Sequence, residues 1–384
     1  MPFGFPHAHA RSALLALAAM LSLSTRASAQ TVLGYGEDAT AAPAGAIRVR
    51  LSNDWHRSRS IGEGNDTTYD TDRQYRASTV GLELGVLKRF SIGVSVPWVT
   101  TKALTFVSSQ HAQGLVLDTL LDISHNGWGN IEALGKIVWL GEPGQQARLE
   151  PRDGVHIRSA LAGGALLGTG IQIDPRDPFA IGTSDRARTL LARSETDVTV
   201  GRHVFGSLVA RYEKPMADNV LVAVHPSGDP LVRDAVAFTA ARKLGTKYEI
   251  EVTPRYQFGR YFAAGLQYRY HHGAQDQYTG QTSVDVGGSP VVLDASSLDA
   301  GTELTEHRVG FGVVYSAVEG YTRRRSRIPV EVTFEYSRVV SISNGMPKES
   351  ETIFSVRIFR RLWGAEFAPP AAPPKPRTLE PTTP

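Results

Sequence analysis

Between Lys247 and Phe258 polar and apolar residues alternate. Tyr248, Ile250, Val252, Tyr256 and Phe258 share one face; Lys247, Glu249, Glu251, Thr253, Arg255 and Gln257 share the other. Gly259-Arg260 permits a tight reversal. Alternation then resumes with Phe262, Ala264, Leu266, Tyr268 and Tyr270 against Gly265, Gln267, Arg269 and His271. Period two on both sides of a glycine turn predicts a β-hairpin. The pattern recurs along the chain. It predicts further strands at Ala46 to Arg57, Ser78 to Leu87, Phe90 to Thr101, Gly127 to Leu140, Gly154 to Leu167, Thr189 to Val200 and Val204 to Glu213. After the hairpin come Glu306 to Ala317, Ile328 to Ser337 and Glu351 to Trp363. The polar stretches Ser58 to Arg76, Lys102 to Asn126, Lys214 to Lys243 and Gly273 to Gly301 read as long loops. The third of these leaves room for an extra strand or helix at Ala235 to Ala241.

A soluble sandwich has little use for so many strands with one oily and one charged face. The expected fold is all-β: a transmembrane, antiparallel, up-and-down β-barrel of about twelve strands, lipid outside and polar lumen inside. Connections also sort by parity. Those after the first, third, fifth, seventh and ninth strands are long, and those after the second, sixth and eighth are short. The short one after the eleventh breaks this order. Short turns on one side and long loops on the other place both termini in the periplasm. Aromatic residues sort in the same way. Phe90, Trp139, Phe205, Phe258, Tyr261, Tyr321 and Trp363 lie beside the short turns; Trp55, Trp98, Tyr212, Tyr270 and Tyr336 lie near the opposite strand ends. Two aromatic girdles are what two membrane interfaces require. Pro97, Pro254 and Pro329 fall inside predicted strands, and each removes a ladder donor, so bulges or strand ends are expected there.

The N-terminus sets the route. Arg11 precedes the apolar run Ala13 to Leu21, and Ala27-Ser28-Ala29 matches a small-x-small cleavage site. This reads as a cleaved secretory signal peptide, its apolar run being too short for a spanning helix. The expected organisation is signal peptide 1–29, flexible lead-in 30–44, barrel 45–364 and a disordered, Pro-rich periplasmic tail 365–384. The 384 residues include no cysteine, which excludes a disulfide framework. The formal charge of +3 falls to +1 once Arg11 and Arg26 leave with the signal, so no basic field for nucleic acid remains.

The polar face carries the candidate chemistry. Its predicted lumen-lining charges are Arg48, Arg50, Glu83, Lys136, Arg193, Glu195, Arg211, Glu249, Glu251, Arg255, Arg269, Glu306, Arg308, Glu331, Glu335 and Arg357. Arg158, Lys247, Asp54, Glu132, Asp197 and Glu213 join them, which makes the two signs equal in number. A strongly selective pore would favour one sign. Balance fits either a narrow salt-bridged lumen or a pore of weak ion preference. The girdle expectation centres on Phe90, Trp139, Phe258, Tyr261, Tyr321 and Trp363.

Enzyme signals are poor. Gly129 to Lys136 misses phosphate-loop spacing and reads as strand. Ser124-His125 places a serine beside a histidine, as a barrel-embedded phospholipase-like hydrolase would need, but sequence neighbours rarely face each other usefully. Asp174 and Asp177 lack the remaining oxygens of a calcium site, and His271-His272 point to opposite faces. No metal or cofactor is expected. Arg323 to Arg327 reads as a solvated basic turn.

Leu82 to Val99 (LELGVLKRFSIGVSVPWV), Gly127 to Leu140 (GWGNIEALGKIVWL) and Glu251 to Tyr270 (EVTPRYQFGRYFAAGLQYRY) resemble a family of outer-membrane channel proteins. That family is found with meta-pathway degradation of phenol and other aromatics. Asn130 stands where the family pattern has Asp. The resemblance implies a transport barrel in the Gram-negative outer membrane for small compounds, hydrophobic or aromatic ones included. Outer-membrane lipid, the barrel-assembly machinery and a small-molecule solute are the expected partners of a monomer. The alternatives are a structural or adhesive barrel with a closed salt-bridged lumen, and a barrel-embedded hydrolase.

Overall fold

The computed structural model describes residues 39–363 apart from 65–66, 111–115, 142–153, 172–174, 176–182, 202, 227–235, 259–260, 319–327 and 344–347. The signal peptide, the tail, Asp174, Asp177, Tyr321 and the turn Arg323 to Arg327 lie outside these residues.

The strands are β1 (Ala46–Gly64), β2 (Thr67–Leu87), β3 (Phe90–Gln110), β4 (Val116–Trp128), β5 (Ile131–Leu140), β6 (Val155–Leu167), β7 (Thr189–Val200), β8 (Val204–Pro215) and β9 (Asp218–Val224). They continue with β10 (Val236–Lys243), β11 (Lys247–Phe258), β12 (Phe262–Gly273), β13 (Gln277–Thr279), β14 (Gln281–Val286), β15 (Ser289–Asp294), β16 (Leu304–Ser316), β17 (Val330–Ile342) and β18 (Glu349–Arg361). The main sheet runs β2-β1-β18-β17-β16-β12-β11-β8-β7-β6-β5-β3, and the β2–β3 pairing closes it into a ring. Twelve strand positions make the antiparallel barrel, the fourth being shared by β4 and β5.

The barrel inverts the usual distribution of polarity. Leu82, Val94, Ile250, Val252, Phe311 and Val313 are exposed on the outside, whereas Glu195, Glu251, Glu331 and Glu335 are buried. This is the alternation read along each strand: lipid solvates one face, and the other must satisfy its charges internally.

The upper hairpins differ from expectation. Ser58 to Arg76 and Lys102 to Asn126 are not loops for most of their length. The β1–β2 ladder continues to Gly64↔Thr67, and β3 pairs with β4 from Trp98↔Trp128 to Gln110↔Val116. Polar composition signals a strand outside lipid as readily as a loop. Cross-strand pairs hold the extension together, Arg57–Asp72 at 2.8 Å and Arg59–Asp70 at 2.5 Å. The predicted strand Gly127 to Leu140 is interrupted at Gly129-Asn130. There β3 changes partner, pairing with β5 up to Ser95 and with β4 from Trp98. Pro97 sits in the gap, and its carbonyl accepts the Gly129 N–H at 3.0 Å.

The other prolines behave differently from each other. Pro329 lies just before β17. Pro254 makes neither a bulge nor an end: β11 runs through it opposite Gly206 of β8 without a register change. On the β12 side the pairing skips Thr253 and Pro254 and resumes in the same register at Arg255↔Gly265.

Two long segments carry structure of their own. Lys214 to Lys243 contains β9 and β10, which join β13 in a small sheet, and Gly273 to Gly301 contains β13, the β14–β15 hairpin and a 3-10 turn, Ala295–Leu298. Val220, Val222, Ala240 and Ala295 form a separate small core there, with Phe238, Tyr278 and Leu298 against it. Buried Arg242 ties this unit to its surroundings, bonding both Asp218 carboxylate oxygens and the Asp185 carbonyl.

Residues 39–44, expected as part of a flexible lead-in, are packed inside. Ala39, Thr40, Ala41 and Ala42 are buried, and Ala39 and Ala41 cluster with Val138 and Ala160 of the wall. Their side chains are small enough to fit beside the inner face.

Candidate functional site: the charged lumen

The inner face can be followed from the ends of the strands where the chain enters. Arg48 of β1 pairs with Glu83 of β2. Glu83 also accepts the Ser91 hydroxyl at 2.7 Å and the Ala42 N–H at 2.9 Å. Asp197 of β7 takes Arg158 at 2.8 Å, Ser207 at 2.6 Å and the Ala39 N–H at 3.1 Å. The strap 39–44 is therefore held at its two ends by carboxylates of β2 and β7. Arg48 also reaches the Thr40 hydroxyl at 3.4 Å. A Cβ on Gly85 would collide with the Pro43 and Ala42 carbonyl oxygens, so glycine is what lets the strap lie against β2.

Two ion pairs then span β6. Lys136 Nζ of β5 is 2.6 Å from Glu195 of β7, and Arg193 of β7 is 2.5 Å from Glu132 of β5. The strand between them presents Ala160 and Ala162 inward, flanked by Gly163 and Gly164. Small residues leave the space through which long side chains meet. The Gly/Ala-rich half of β6, a weak strand by pattern, thereby acquires a physical role.

Farther along, Arg211 of β8 bridges Glu249 and Glu251 of β11, the latter at 3.0 Å. Arg269 of β12 lies 3.6 Å from each of these glutamates and 3.1 Å from Glu351 of β18. Glu351 is a hub. It takes Arg308 at 2.7 Å, the Ser337 hydroxyl at 3.1 Å and the His56 ring at 3.7 Å. Arg308 also bonds Glu306 at 3.0 Å, and His56 pairs with Glu349. Arg357 bonds Glu331 at 3.0 Å, and Arg255 donates to Ser207. Arg50 is half-buried on β1, and Glu335 is buried on β17. All sixteen predicted lumen charges thus lie buried or half-buried on the inner face, most of them joined in ion pairs.

Pattern reading places His56 on the inward face of β1 with Arg48 and Arg50, and leaves out Glu349, Glu351 and the strap. Glu351 was within reach, because it shares parity with Ser355 and Arg357 on the same strand. Nothing in the composition of 39–44 marked it as an interior segment.

On the outer face Phe258 and Trp363 are exposed, Phe90 covers Gly135, and Tyr261 lies 6.2 Å from Tyr315. Trp139 sits at a β-bulge between Val138 and Leu140, which turns both Trp139 and Leu140 outward. Phe205 departs from the girdle expectation: it is directly opposite Thr199 and Arg255 and shares their inward face. Ser124 and His125 are consecutive on β4, so they point to opposite faces and form no dyad. No group of metal-binding side chains occurs among the described residues.

No family model matches the chain, and no curated protein matches it. Among solved structures, it resembles an outer membrane channel from Pseudomonas putida F1. The identity is 11% and the TM-score 0.52, with 85% of this chain and 100% of that structure covered. This is the outer-membrane β-barrel fold. Weaker likenesses run to the transport unit of the autotransporter AIDA-I from Escherichia coli (8% identity, TM-score 0.38, covering 89% of this chain and 97% of that one). The translocator domain of the autotransporter NalP from Neisseria meningitidis matches at 10% identity and TM-score 0.34, covering 92% and 95%. The barrel therefore has a recognisable wall, while its interior must be read from its own residues.

Proposed function

We propose that the protein is a monomeric channel of the Gram-negative outer membrane that passively admits small compounds, hydrophobic or aromatic ones included. The observation that carries this reading is the inverted barrel itself: an apolar exterior around an interior of balanced, mutually paired charges. In this reading the chain is exported by its signal peptide, inserted by the barrel-assembly machinery, and oriented with the β2–β3, β7–β8 and β11–β12 turns in the periplasm. Equal numbers of opposite charges give the path weak ion preference. The strap 39–44 makes it narrow at the periplasmic end. The aromatic cargo is supported by the resemblance of the three stretches quoted above.

A second reading, a closed structural barrel, is favoured by the same strap and by the bridges across β6. Conductance of the refolded protein in a planar bilayer separates the two. The channel reading expects discrete openings with little ion preference, larger when residues 30–44 are deleted. Silence from both proteins would sink it and leave the closed barrel.

A further inference from the structure

The outer face of β17, β18, β1, β2 and β3 changes polarity row by row. The ladders set Val332, Val356, Leu51, Val80 and Val96 opposite one another. Two residues farther along each strand, roughly 7 Å higher, the row is Phe334, Phe354, Asn53, Ser78 and Trp98. The next is Tyr336, Thr352, Trp55, Arg76 and Thr100. The one above is Arg338, Ser350, Arg57, Gln74 and Lys102. Oil gives way to aromatic rings and then to cations.

These cations are not equivalent. Asp72 holds Arg57, and Asp122 holds Lys102 at 3.2 Å. Arg76 lies over the Trp55 ring at 5.3 Å and, among the described residues, reaches only the Asn53 amide oxygen, at 3.5 Å. Arg338 is exposed and has no ion pair among the described residues. Its strand and that of Arg76 are three strand spacings apart, on the order of 14 Å. Two phosphates on one headgroup span that distance and engage both.

We propose that this sector binds an acylated lipid whose headgroup carries two phosphates. Its chains lie on the rows of Leu51 and Asn53, and one phosphate sits at each of Arg76 and Arg338. Guanidinium groups suit this because their fork donates two parallel bonds to phosphate oxygens. Stacking on Trp55 pre-orders Arg76 and lowers the entropy lost on binding. The inference rests on the proposed outer-membrane placement, with this end of the barrel at the outer leaflet.

The test is native mass spectrometry of the full-length protein in detergent, titrated separately with diphosphorylated lipid A, dephosphorylated lipid A, phosphatidylglycerol and inorganic phosphate. Diphosphorylated lipid A is expected to bind at least tenfold more tightly than the other lipids. Inorganic phosphate should neither bind detectably nor compete. The double variant R76Q/R338Q should bind diphosphorylated lipid A at least tenfold more weakly. Equal binding by the double variant overturns the proposal, and so does equal binding of dephosphorylated lipid A or phosphatidylglycerol to the wild type. If the double variant fails to refold, the wild-type lipid comparison decides alone. Conductance of R76Q/R338Q is expected to equal that of the wild type, so the channel reading and the lipid reading fail in separate measurements.

Discussion

Arg269 on β12 places Nη1 3.1 Å from Glu351 Oε2 on β18, although β16 and β17 lie between those strands in the ring. The same carboxylate also holds Arg308. A single glutamate therefore ties together four strands, a third of the wall, that the backbone ladder connects only neighbour to neighbour.

Glu351→Gln should leave two largely buried guanidinium groups without their shared counter-charge. Removing one partner of a buried pair costs about 3–5 kcal/mol, and the partial exposure of Arg269 favours the lower end. The expected result is a lower urea midpoint for the refolded barrel, with Glu351→Asp less affected. An unchanged midpoint for the glutamine variant would show that the hub contributes nothing.

Gly85→Ala tests the strap. The added methyl meets the Pro43 and Ala42 carbonyls, and the bridge between Ala44 and Gly85 cannot persist. The strap should leave the lumen while the barrel keeps its β-sheet circular dichroism. Protease added on the side of the barrel that carries the strap should then remove the N-terminal residues faster than in the wild type. Equal cleavage rates would contradict this.

Leu82 occupies an outward row with Val49 and Val94, well below the aromatic level. Arginine there should destabilise insertion by roughly 2–4 kcal/mol, whereas phenylalanine should cost little. Folding equilibria into vesicles measure both. Equal effects of the two substitutions would mean that this face does not meet lipid.

The β14–β15 hairpin offers a pH effect outside the barrel wall. Gln281 donates to the Asp294 carboxylate, and the Ser296 N–H donates to it at the start of the 3-10 turn; both hold its pKa below the usual 3.8. A depressed folded-state pKa stabilises above the unfolded value and is lost as pH falls through the folded one. Hydrogen exchange in Gln281 to Leu298, taken relative to the intrinsic amide rate at each pH, should therefore accelerate below about pH 4. Asp294→Asn should abolish that dependence; if the acid-driven acceleration survives, another group is responsible.

Much of this architecture was legible because period two is a local signal. Tyr248 and Glu249 declare opposite faces without knowledge of any partner strand, and the lumen charges follow from the same parity. What escaped was non-local or ambiguous. The Arg57–Asp72 pair makes a polar stretch into a strand only through its cross-strand partner. The break at Gly129-Asn130 depends on β3 exchanging neighbours beside Pro97. The strap is alanine-rich, and alanine fits a solvated linker as well as a lumen; only Glu83 and Asp197, distant in sequence, decide between them. The meeting of Lys136 with Glu195 depends on what β6 lacks, and absent bulk leaves a weak trace in a hydropathy pattern.

The alternation of faces also governs how such a chain can drift over evolutionary time. Fluid acyl chains adapt to any apolar outline, so Val, Leu, Ile and Phe are interchangeable outside. Inside, an arginine is constrained only by a carboxylate within reach, and the pair can migrate to other strands together. Neither face demands the jigsaw fit that preserves residue identity in a water-soluble core. Two walls of one fold can thus differ at nearly nine in ten aligned residues, as this chain and the Pseudomonas putida channel do.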